Sequence, residues 1–261
     1  GRSGDHAGGA GLDPAGTRRA AGGPDQRLTD SDGITGTDSA GITRAPAASG
    51  FRPTSQDDLA PSGARARFRA NLDALRTLRT LQDDQRPASA DEQHVLARWG
   101  GWGAQGLWQI FDADRAQYSD DRAQLRGLLT PAEYDAARRT TINAHYTDPA
   151  IGREMWVAVQ RLGFAGGRVL EPGCGSGTFI GLAPDGVQAI GVELDPTTAA
   201  IAQALYPDAE IRAESFAETR MPAGAIDLTI GNVPFADITL HDPRHNSGRH
   251  PMHDHFIIKS L

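Results

Sequence analysis

A glycine-rich stretch at residues 168–179, RVLEPGCGSGTF, constrains this chain more than any other part of it. Apolar residues lead into a carboxylate at Glu171, and glycines follow at alternate positions: Gly173, Gly175 and Gly177. Glycine lets a backbone turn sharply and approach a ligand without a Cβ in the way, and a helix N-terminus offers free N–H groups to polar atoms. The stretch therefore predicts a strand, a tight turn and a helix start that together bind a nucleotide-like molecule.

Strand and helix patterns alternate after this turn. Strands are predicted at 169–171, 189–193, Glu210–Ala213 and 226–230, and helices between them at 178–182 and Pro196–Leu205. Such alternation implies a parallel sheet with crossover helices. We therefore expect an α/β, Rossmann-like domain over residues 143–261, with its sheet cut off after the fourth strand.

Two segments of different character precede this domain. Residues 1–60 are rich in small and polar side chains, which cannot bury enough surface to offset the entropy of ordering, so a disordered tail or linker is expected. Residues 61–142 show helical patterns. The first helix carries an apolar stripe at three- and four-residue steps, formed by Phe68, Leu72, Leu75, Leu78 and Leu81.

Two more stretches are predicted to pack against the sheet. The segment 97–111 contains Trp99, Trp102 and Trp108 among glycines, which favours a buried aromatic plug over a surface that stacks on bases. A further helix is predicted to begin at Pro149. Its inward face is expected to consist of Ile151, Met155, Trp156, Val159 and Leu162.

Charge and cysteine content narrow the class of protein. The formal net charge is −7 and the isoelectric point is about 5.6, which argues against a free-standing, nonspecific DNA-binding protein. A DNA-modifying module that relies on another domain for its grip is still compatible with this charge. Cys174 is the one cysteine, so no internal disulfide can form. With no signal-peptide pattern and no apolar run of about 20 residues, we expect a cytoplasmic protein without a membrane span.

The spacing of the glycine turn separates two kinds of ligand. A dinucleotide fold uses G-x-G-x-x-G, but counting from Gly173 the third position falls on Thr178. Glu171 instead ends the first predicted strand, where it can bind an ammonium group, and Glu193 ends the second, where it can accept ribose hydroxyls. A ligand with an amino-acid tail and a nucleoside, such as S-adenosylmethionine, suits this pair. A role of Glu171 in capping the core is the alternative.

Several segments resemble a known family when taken in order. They are NAHYTDP at 143–149, LEPGCGSGTF at 170–179, GVELDP at 191–196 and AESFAET at 213–219. The set resembles the class I S-adenosylmethionine-dependent methyltransferases, specifically the amino-methylating DNA branch. The resemblance implies that Tyr146 and Thr147 line the methionine end of the cofactor and that Phe216 stacks on its adenine. Ser215 stands where the family usually has an acidic residue.

The segment IDLTIGNVPF at 226–235 resembles the catalytic Asn-Pro-Pro-Tyr/Phe motif of N6-adenine methyltransferases. The lone pair of the adenine N6 nitrogen is delocalised into the ring, so this nitrogen is a poor nucleophile. By the resemblance, the Asn232 amide oxygen and the Val233 carbonyl accept the two N6 hydrogens, and Phe235, after Pro234, stacks on a base turned out of the duplex. Val233 replaces the usual proline, which relaxes the backbone that aims its carbonyl.

The wider match is to the N-terminal methylase-like module of large helicase–methylase proteins of bacterial mobile elements. It implies DNA as a partner and a helicase domain in the same full-length chain. Two alternatives stay open at this point. The fold could be a catalytically degenerate binding platform for a helicase, as Val233 and Ser215 suggest, or it could methylate RNA or a protein glutamine.

Five histidines are concentrated near the end of the sequence: His241, His245, His250, His253 and His255. Imidazoles can bind zinc, but no cysteine is near and Pro243 and Pro251 interrupt helical spacing. The pattern therefore favours a loop beside the catalytic turn that contacts phosphate or the target base, or an ordinary polar loop. We predict no metal site.

Overall fold

The computed structural model of the protein describes residues 50–104, 106–142 and 147–261. Its helices are α1 (Ala64–Asp83), α2 (Ala90–Ala97), α3 (Trp108–Phe111), α4 (Ser119–Leu128), α5 (Pro131–Arg139), α6 (Pro149–Arg161), α7 (Thr178–Gly181), α8 (Pro196–Leu205) and α9 (Met252–Ser260). Its strands are β1 (Gly167–Pro172), β2 (Val187–Glu193), β3 (Glu210–Ala213) and β4 (Leu228–Thr229). Within these ranges no helix has the combined length and apolarity that crossing a bilayer requires.

The four strands form one parallel sheet in the order β3-β2-β1-β4. Helix α7 connects β1 to β2 and helix α8 connects β2 to β3, so each connection is a crossover helix. The chain extends the sheet from β1 through β2 to β3 and then returns to place β4 on the other side of β1. In open α/β sheets ligands bind at the carboxyl ends of the strands, where the order of the strands reverses in this way.

The predicted α/β, Rossmann-like fold is confirmed. Strand β3 and helix α8 have the predicted bounds, and the predictions for the first two strands lie inside β1 and β2. Strand β4 is shorter than the predicted 226–230, because ladder pairing with β1 is confined to Val169–Leu228 and Leu170–Thr229.

The helical segment and the sheet share one hydrophobic core. The predicted stripe of α1 is buried, and Trp99 and Trp102 are each 1% exposed. These side chains belong to the same cluster as Ile201 and Leu205 of α8. The aromatic plug is therefore confirmed for these two tryptophans, whereas Trp108 is 47% exposed and lies under the guanidinium of Arg115.

Residues 50–60 correct part of the predicted disordered tail. Phe51 is buried, its backbone N–H donates to the carbonyl of Leu205 at 3.0 Å, and its ring packs edge-on against His94. A short 3₁₀ helix follows at Gln56–Asp58 with a capping box from Ser55. One aromatic side chain and one backbone hydrogen bond thus fix a stretch whose average composition is polar. Residues 1–49 lie outside the described residues.

The inward face of α6 is rotated from the predicted one. Trp156 is buried, and Met155 and Val159 are partly buried beside it, but Ile151 and Leu162 are 57% and 87% exposed. The contact runs through Gly152 instead, where an added Cβ would lie 2.7 Å from Leu182. Close approach at a glycine has no apolar side chain to mark it, so the periodicity of large residues misplaces the face.

Candidate functional site

One cavity of about 230 Å³ opens at the carboxyl ends of the strands. This volume is more than ten times the roughly 15 Å³ that one water molecule requires, so the cavity suits an organic ligand. Most of the predicted site residues line it: Thr147, Glu171, Gly173, Gly175, Glu193, Ser215, Phe216, Asn232, Val233, Pro234 and Phe235. The structure thus brings together residues that are up to 88 positions apart in sequence. Tyr146 lies outside the described residues.

The glycine turn has the backbone conformation that its sequence predicts. Gly173, Gly175 and Gly177 all have positive φ, at 69°, 56° and 85°. A Cβ at Gly177 would lie 2.6 Å from the ring of Tyr206, so this glycine also lets the turn pack closely on the residue after α8. Gly177 does not line the cavity, and its role is to shape the turn.

The turn is fastened to the neighbouring strand β2. The backbone N–H groups of Gly173 and Cys174 both donate to the carbonyl of Val192, at 2.8 and 3.0 Å. Cys174 is buried in the cavity wall, and burial raises the pKa of its thiol well above the ordinary value. Its sulfur lies where a side chain on Gly191 would intrude, at 2.8 Å from an added Cβ.

Glu193, at the end of β2, binds the backbone around the turn as well as facing the cavity. One carboxylate oxygen accepts the N–H of Gly175 at 3.0 Å and the other accepts the N–H of Asp195 at 2.8 Å. Burial raises the pKa of Glu193 to about 7; the Asp195 charge adds to the rise, while these two hydrogen bonds oppose it. A group with this pKa changes its charge near neutral pH.

Glu171, at the end of β1, is buried and points at the start of α7. Its carboxylate accepts the backbone N–H of Ile180 at 3.3 Å. Burial raises the pKa of Glu171 well above its ordinary value, the hydrogen bonds from Ile180 and Phe179 partly offset this, and the charge of Glu193 adds to the rise. Glu171 therefore combines the predicted position at the cavity with the alternative role of capping the core.

The turn after β4 lies directly against the glycine turn. A Cβ at Gly173 would be 3.4 Å from Pro234, and one at Gly231 would be 3.4 Å from the side chain of Glu171. Asn232 is exposed and Phe235 is 60% exposed, so both side chains are accessible to a large molecule at the cavity mouth. The two turns therefore form one continuous wall.

The segment after β3 contributes Glu214, Ser215 and Phe216 to the cavity. Phe216 is 5% exposed and packs on Phe256, with ring centroids 4.8 Å apart. The ammonium of Lys259 lies 5.2 Å from the centre of the Phe216 ring. Its predicted stacking on an adenine stays a prediction, and it would use the part of the ring that these neighbours leave open.

The helical segment supplies a wall that the sequence patterns did not indicate. Gly101, Trp102, Arg139 and Thr140 line the cavity together with Asp195 at the start of α8. The dense tryptophan–glycine pattern predicts a buried aromatic plug, but it does not show which tryptophan reaches the cavity.

The histidine-rich stretch is organised by a buried carboxylate. Asp242 is 3% exposed and accepts from Lys259 Nζ at 3.0 Å, His255 Nε2 at 3.1 Å and His245 Nδ1 at 3.2 Å. Burial alone would raise the pKa of Asp242, but the hydrogen bonds from Lys259 and His255 hold it well below the usual range. Among the described residues no group of histidine, cysteine and carboxylate side chains has the arrangement of a metal site.

Comparison with protein-family models finds no match. A search of curated proteins finds similarity to the defense against restriction protein B of Escherichia phage P1, with 26% identity over 152 residues. The similar region covers 57% of this chain but 7% of the phage protein, so the chain spans a small part of that relative's length.

Three solved structures share a partial likeness with the chain. A proposed class I S-adenosylmethionine-dependent methyltransferase from Listeria monocytogenes has 15% identity and a TM-score of 0.38, covering 76% of this chain and 70% of its own. A proposed RNA methyltransferase from Pyrococcus horikoshii has 14% identity and a TM-score of 0.31, covering 66% of this chain and 67% of its own. The methyltransferase subunit of a type I restriction–modification system from Streptococcus thermophilus has 13% identity and a TM-score of 0.37, covering 73% of this chain and 52% of its own. The class of the present chain, a Rossmann-like α/β domain with a cavity at its strand ends, rests on its own sheet and turns.

Proposed function

We propose that this domain is an S-adenosylmethionine-dependent methyltransferase that modifies the N6 amino group of adenine in DNA. The observation that carries the proposal is the contact between the two turns. The glycine turn suits a nucleoside cofactor, and the exposed Asn232–Phe235 turn, which suits a planar amino group, lies against it through Pro234 and Gly173. Proximity of two bound reactants is a large part of enzymatic rate enhancement.

The residues around the cavity fit S-adenosylmethionine by their chemistry. Carboxylates at Glu171 and Glu193 suit its ammonium and ribose groups. The positive φ angles at Gly173 and Gly175 favour glycine, and the absence of a Cβ lets a ligand approach the turn closely. When bound, this cofactor supplies an electrophilic methyl group on a positively charged sulfur.

The protein's own contribution to the transfer is to position the amino group. The Asn232 side-chain oxygen and the Val233 carbonyl supply two acceptors for the two N6 hydrogens, which draws the nitrogen lone pair out of the ring. Phe235, with its exposed ring, supplies a stacking surface for an extruded base. Val233 packs against the cluster that contains Leu170 and Phe216, and this packing holds the turn where the family uses a proline.

The proposal for DNA is supported by a basic loop beside the cavity, defined as residues 240–250. Leu240 at its start and Met252 just after its end both line the cavity. Arg244 and Arg249 are exposed, and within the described residues neither guanidinium has a carboxylate partner. The loop therefore exposes two guanidinium groups that can bind phosphates, in a chain whose net charge is −7. Linkage to a helicase in the same polypeptide is part of the proposal and rests on the family resemblance alone.

Labelled methyl transfer tests the proposed function. The protein, in its full-length chain, is incubated with S-adenosylmethionine carrying a labelled methyl group and with DNA, RNA or a glutamine-containing peptide, and the modified base or residue is identified by mass spectrometry. N6-methyladenine in DNA is the expected product. Cofactor binding without transfer to any substrate would instead support the binding-platform alternative, and label in RNA or glutamine would identify the other alternative.

The affinity for S-adenosylmethionine is expected to rise as the pH increases through about 7. Glu193, with its pKa raised to about 7 by burial, is protonated below that pH and negatively charged above it, and the charged form attracts a cationic ligand. Isothermal titration between pH 6 and 8 measures this. Glu193→Gln is expected to flatten the profile, and Glu218→Gln, at an exposed position, is the matched control. A profile that stays equally steep in Glu193→Gln would contradict the assignment.

Reversing the charge of the basic loop is expected to weaken DNA binding. The double variant Arg244→Glu, Arg249→Glu should lose at least tenfold in affinity at low salt and should show a shallower dependence of affinity on salt, because each phosphate contact releases about one counterion. Fluorescence anisotropy with labelled DNA at several salt concentrations measures both effects.

Arg161→Glu is the control for this double variant. Arg161 is exposed at the end of α6, six residues before β1 begins, and so lies toward the amino ends of the strands, opposite the cavity. Reversing the charge of Arg161 should leave the affinity for DNA nearly unchanged. The control changes the charge by −2 and the double variant by −4, so a control loss about half as large in binding free energy would show that net charge, rather than the loop, governs binding.

A further inference from the structure

Two buried polar atoms in the cavity wall have no hydrogen-bond partner within residues 50–104, 106–142 and 147–261. They are the indole Nε1 of Trp102, a residue that is 1% exposed, and the Oδ1 of Asp195, a residue that is 3% exposed. Both residues line the cavity, one from the helical segment and one from the start of α8. Buried polar groups in folded proteins are nearly always paired, so an unpaired donor and an unpaired acceptor in one cavity wall call for an explanation.

The neighbouring groups of the same kind are satisfied. The Nε1 of Trp99 donates to the hydroxyl of Thr198 at 3.0 Å, and this hydroxyl donates to the other oxygen of Asp195, Oδ2, at 2.6 Å. Oδ2 also accepts the backbone N–H of Thr198 and thereby caps α8. The Nε1 of Trp99 and the Oδ2 of Asp195 thus make hydrogen bonds within the fold. The Nε1 of Trp102 and the Oδ1 of Asp195 make none among the described residues.

Packing holds the indole of Trp102 in place. Its ring makes edge-on contacts with Trp99 and Phe111, with centroid distances of 5.3 and 5.4 Å. Gly101, which precedes it, has φ of 57° and also lines the cavity. The indole therefore cannot turn toward another partner without disturbing the shared core, and among the described residues its Nε1 stays without an acceptor.

The main alternative acceptor for a ribose is already engaged. Both oxygens of Glu193 accept backbone N–H groups, from Gly175 and from Asp195, so each has only part of its capacity left for a ligand. Asp195 lies two residues beyond Glu193, at the start of α8, and so follows the end of β2 where Rossmann-like folds place a ribose.

We infer that Trp102 Nε1 and Asp195 Oδ1 together bind one ribose hydroxyl of the nucleoside ligand. A hydroxyl is the simplest group that satisfies both atoms, because it accepts from the indole and donates to the carboxylate. The inference deepens the proposed function and rests on it, since the nucleoside is that of S-adenosylmethionine. It extends the ligand site from the sheet into the helical segment.

Trp102→Phe tests the inference, with Trp99→Phe as its matched control. Both changes remove an indole N–H from a tryptophan that is 1% exposed in the same aromatic cluster, but Trp99 does not line the cavity. Isothermal titration is carried out with S-adenosylhomocysteine and with its 2′-deoxy and 3′-deoxy analogues. Trp102→Phe should weaken binding of the parent ligand about fivefold, the usual effect of one hydrogen bond, and should not weaken binding of one deoxy analogue. Trp99→Phe should leave the ranking of the three ligands unchanged.

The outcomes are distinct. No binding of S-adenosylhomocysteine by the unmodified protein contradicts the proposed function itself. If the unmodified protein binds and Trp102→Phe binds the parent ligand equally well, or loses the same factor for all three ligands, the ribose assignment is wrong.

A measurement on the unmodified protein covers the case in which Trp102→Phe does not fold. In a spectrum of nitrogen-15-labelled tryptophan, the Trp102 indole N–H signal should move on adding S-adenosylhomocysteine and move less with one deoxy analogue. A signal that responds identically to all three ligands overturns the inference.

Discussion

Asn232→Ala is expected to reduce methyl transfer by at least about 100-fold while leaving the affinity for S-adenosylmethionine within about twofold. The loss has the size that follows removal of one preorganised hydrogen-bonding group from an active site. Asn232 is exposed at the cavity mouth, in a turn that packs on the glycine turn through Pro234, so its removal takes away an acceptor for the amino group but leaves Glu171, Glu193 and the glycine turn unchanged. Labelled methyl incorporation and isothermal titration measure the two quantities.

Asn232→Asp provides the comparison for this variant. It keeps an oxygen acceptor of the same reach, so it should retain more activity than the alanine variant. Nearly full activity in Asn232→Ala would remove Asn232 from the mechanism, and a parallel loss of cofactor affinity would assign it to cofactor binding instead.

Asp242→Ala is expected to lower the free energy of unfolding by about 3 kcal/mol or more, the usual cost of removing one partner from a buried ion pair. The change would leave His255, which is fully buried, and Lys259, which is nearly so, without their shared acceptor. Lys259 also donates to the carbonyl of Ala217, beside Phe216, so the loss would reach the cavity wall. Urea denaturation followed by circular dichroism gives the free energy.

The pH dependence of the same stabilisation has a defined sign. The pKa of Asp242 is lowered in the fold, so its contribution to stability is complete above the ordinary value of 3.8 and is lost as the pH falls below it.

Asp237→Ala, at an exposed position in the preceding segment, is the control for Asp242→Ala and should change stability by less than about 0.5 kcal/mol. Equal stability of the two variants would show that the Asp242 network contributes little.

The parts of the fold that sequence predicts well are those set by neighbouring residues. Glycines at alternate positions after an apolar strand define the turn at Gly173–Gly177, and Asp195 followed by Pro196 defines the start of α8, because caps and positive φ angles are local requirements. The same is true of the order of strands and helices. The turn at Asn232 is predicted from its resemblance to the Asn-Pro-Pro-Tyr/Phe motif, which the preceding strand pattern supports.

The remaining features depend on contacts between distant segments. Asp242 sits in a polar, histidine-rich stretch, and only the fold brings it to Lys259 and His255 of α9. Trp102 belongs to the predicted plug, but its position in the cavity wall depends on how the helical segment packs on α8. Phe51 is a further example, because its burial against distant residues orders a segment whose average composition predicts disorder.

Cys174 makes ligand occupancy measurable by covalent footprinting. It is the chain's sole thiol and lies in the cavity wall, so an alkylating reagent can modify one position, and the added mass reports directly on that position. The raised pKa of the thiol makes this modification slow, and a ligand in the cavity slows it further by blocking access. The rate of mass gain against ligand concentration therefore yields a dissociation constant for the unaltered protein, without an enzymatic assay.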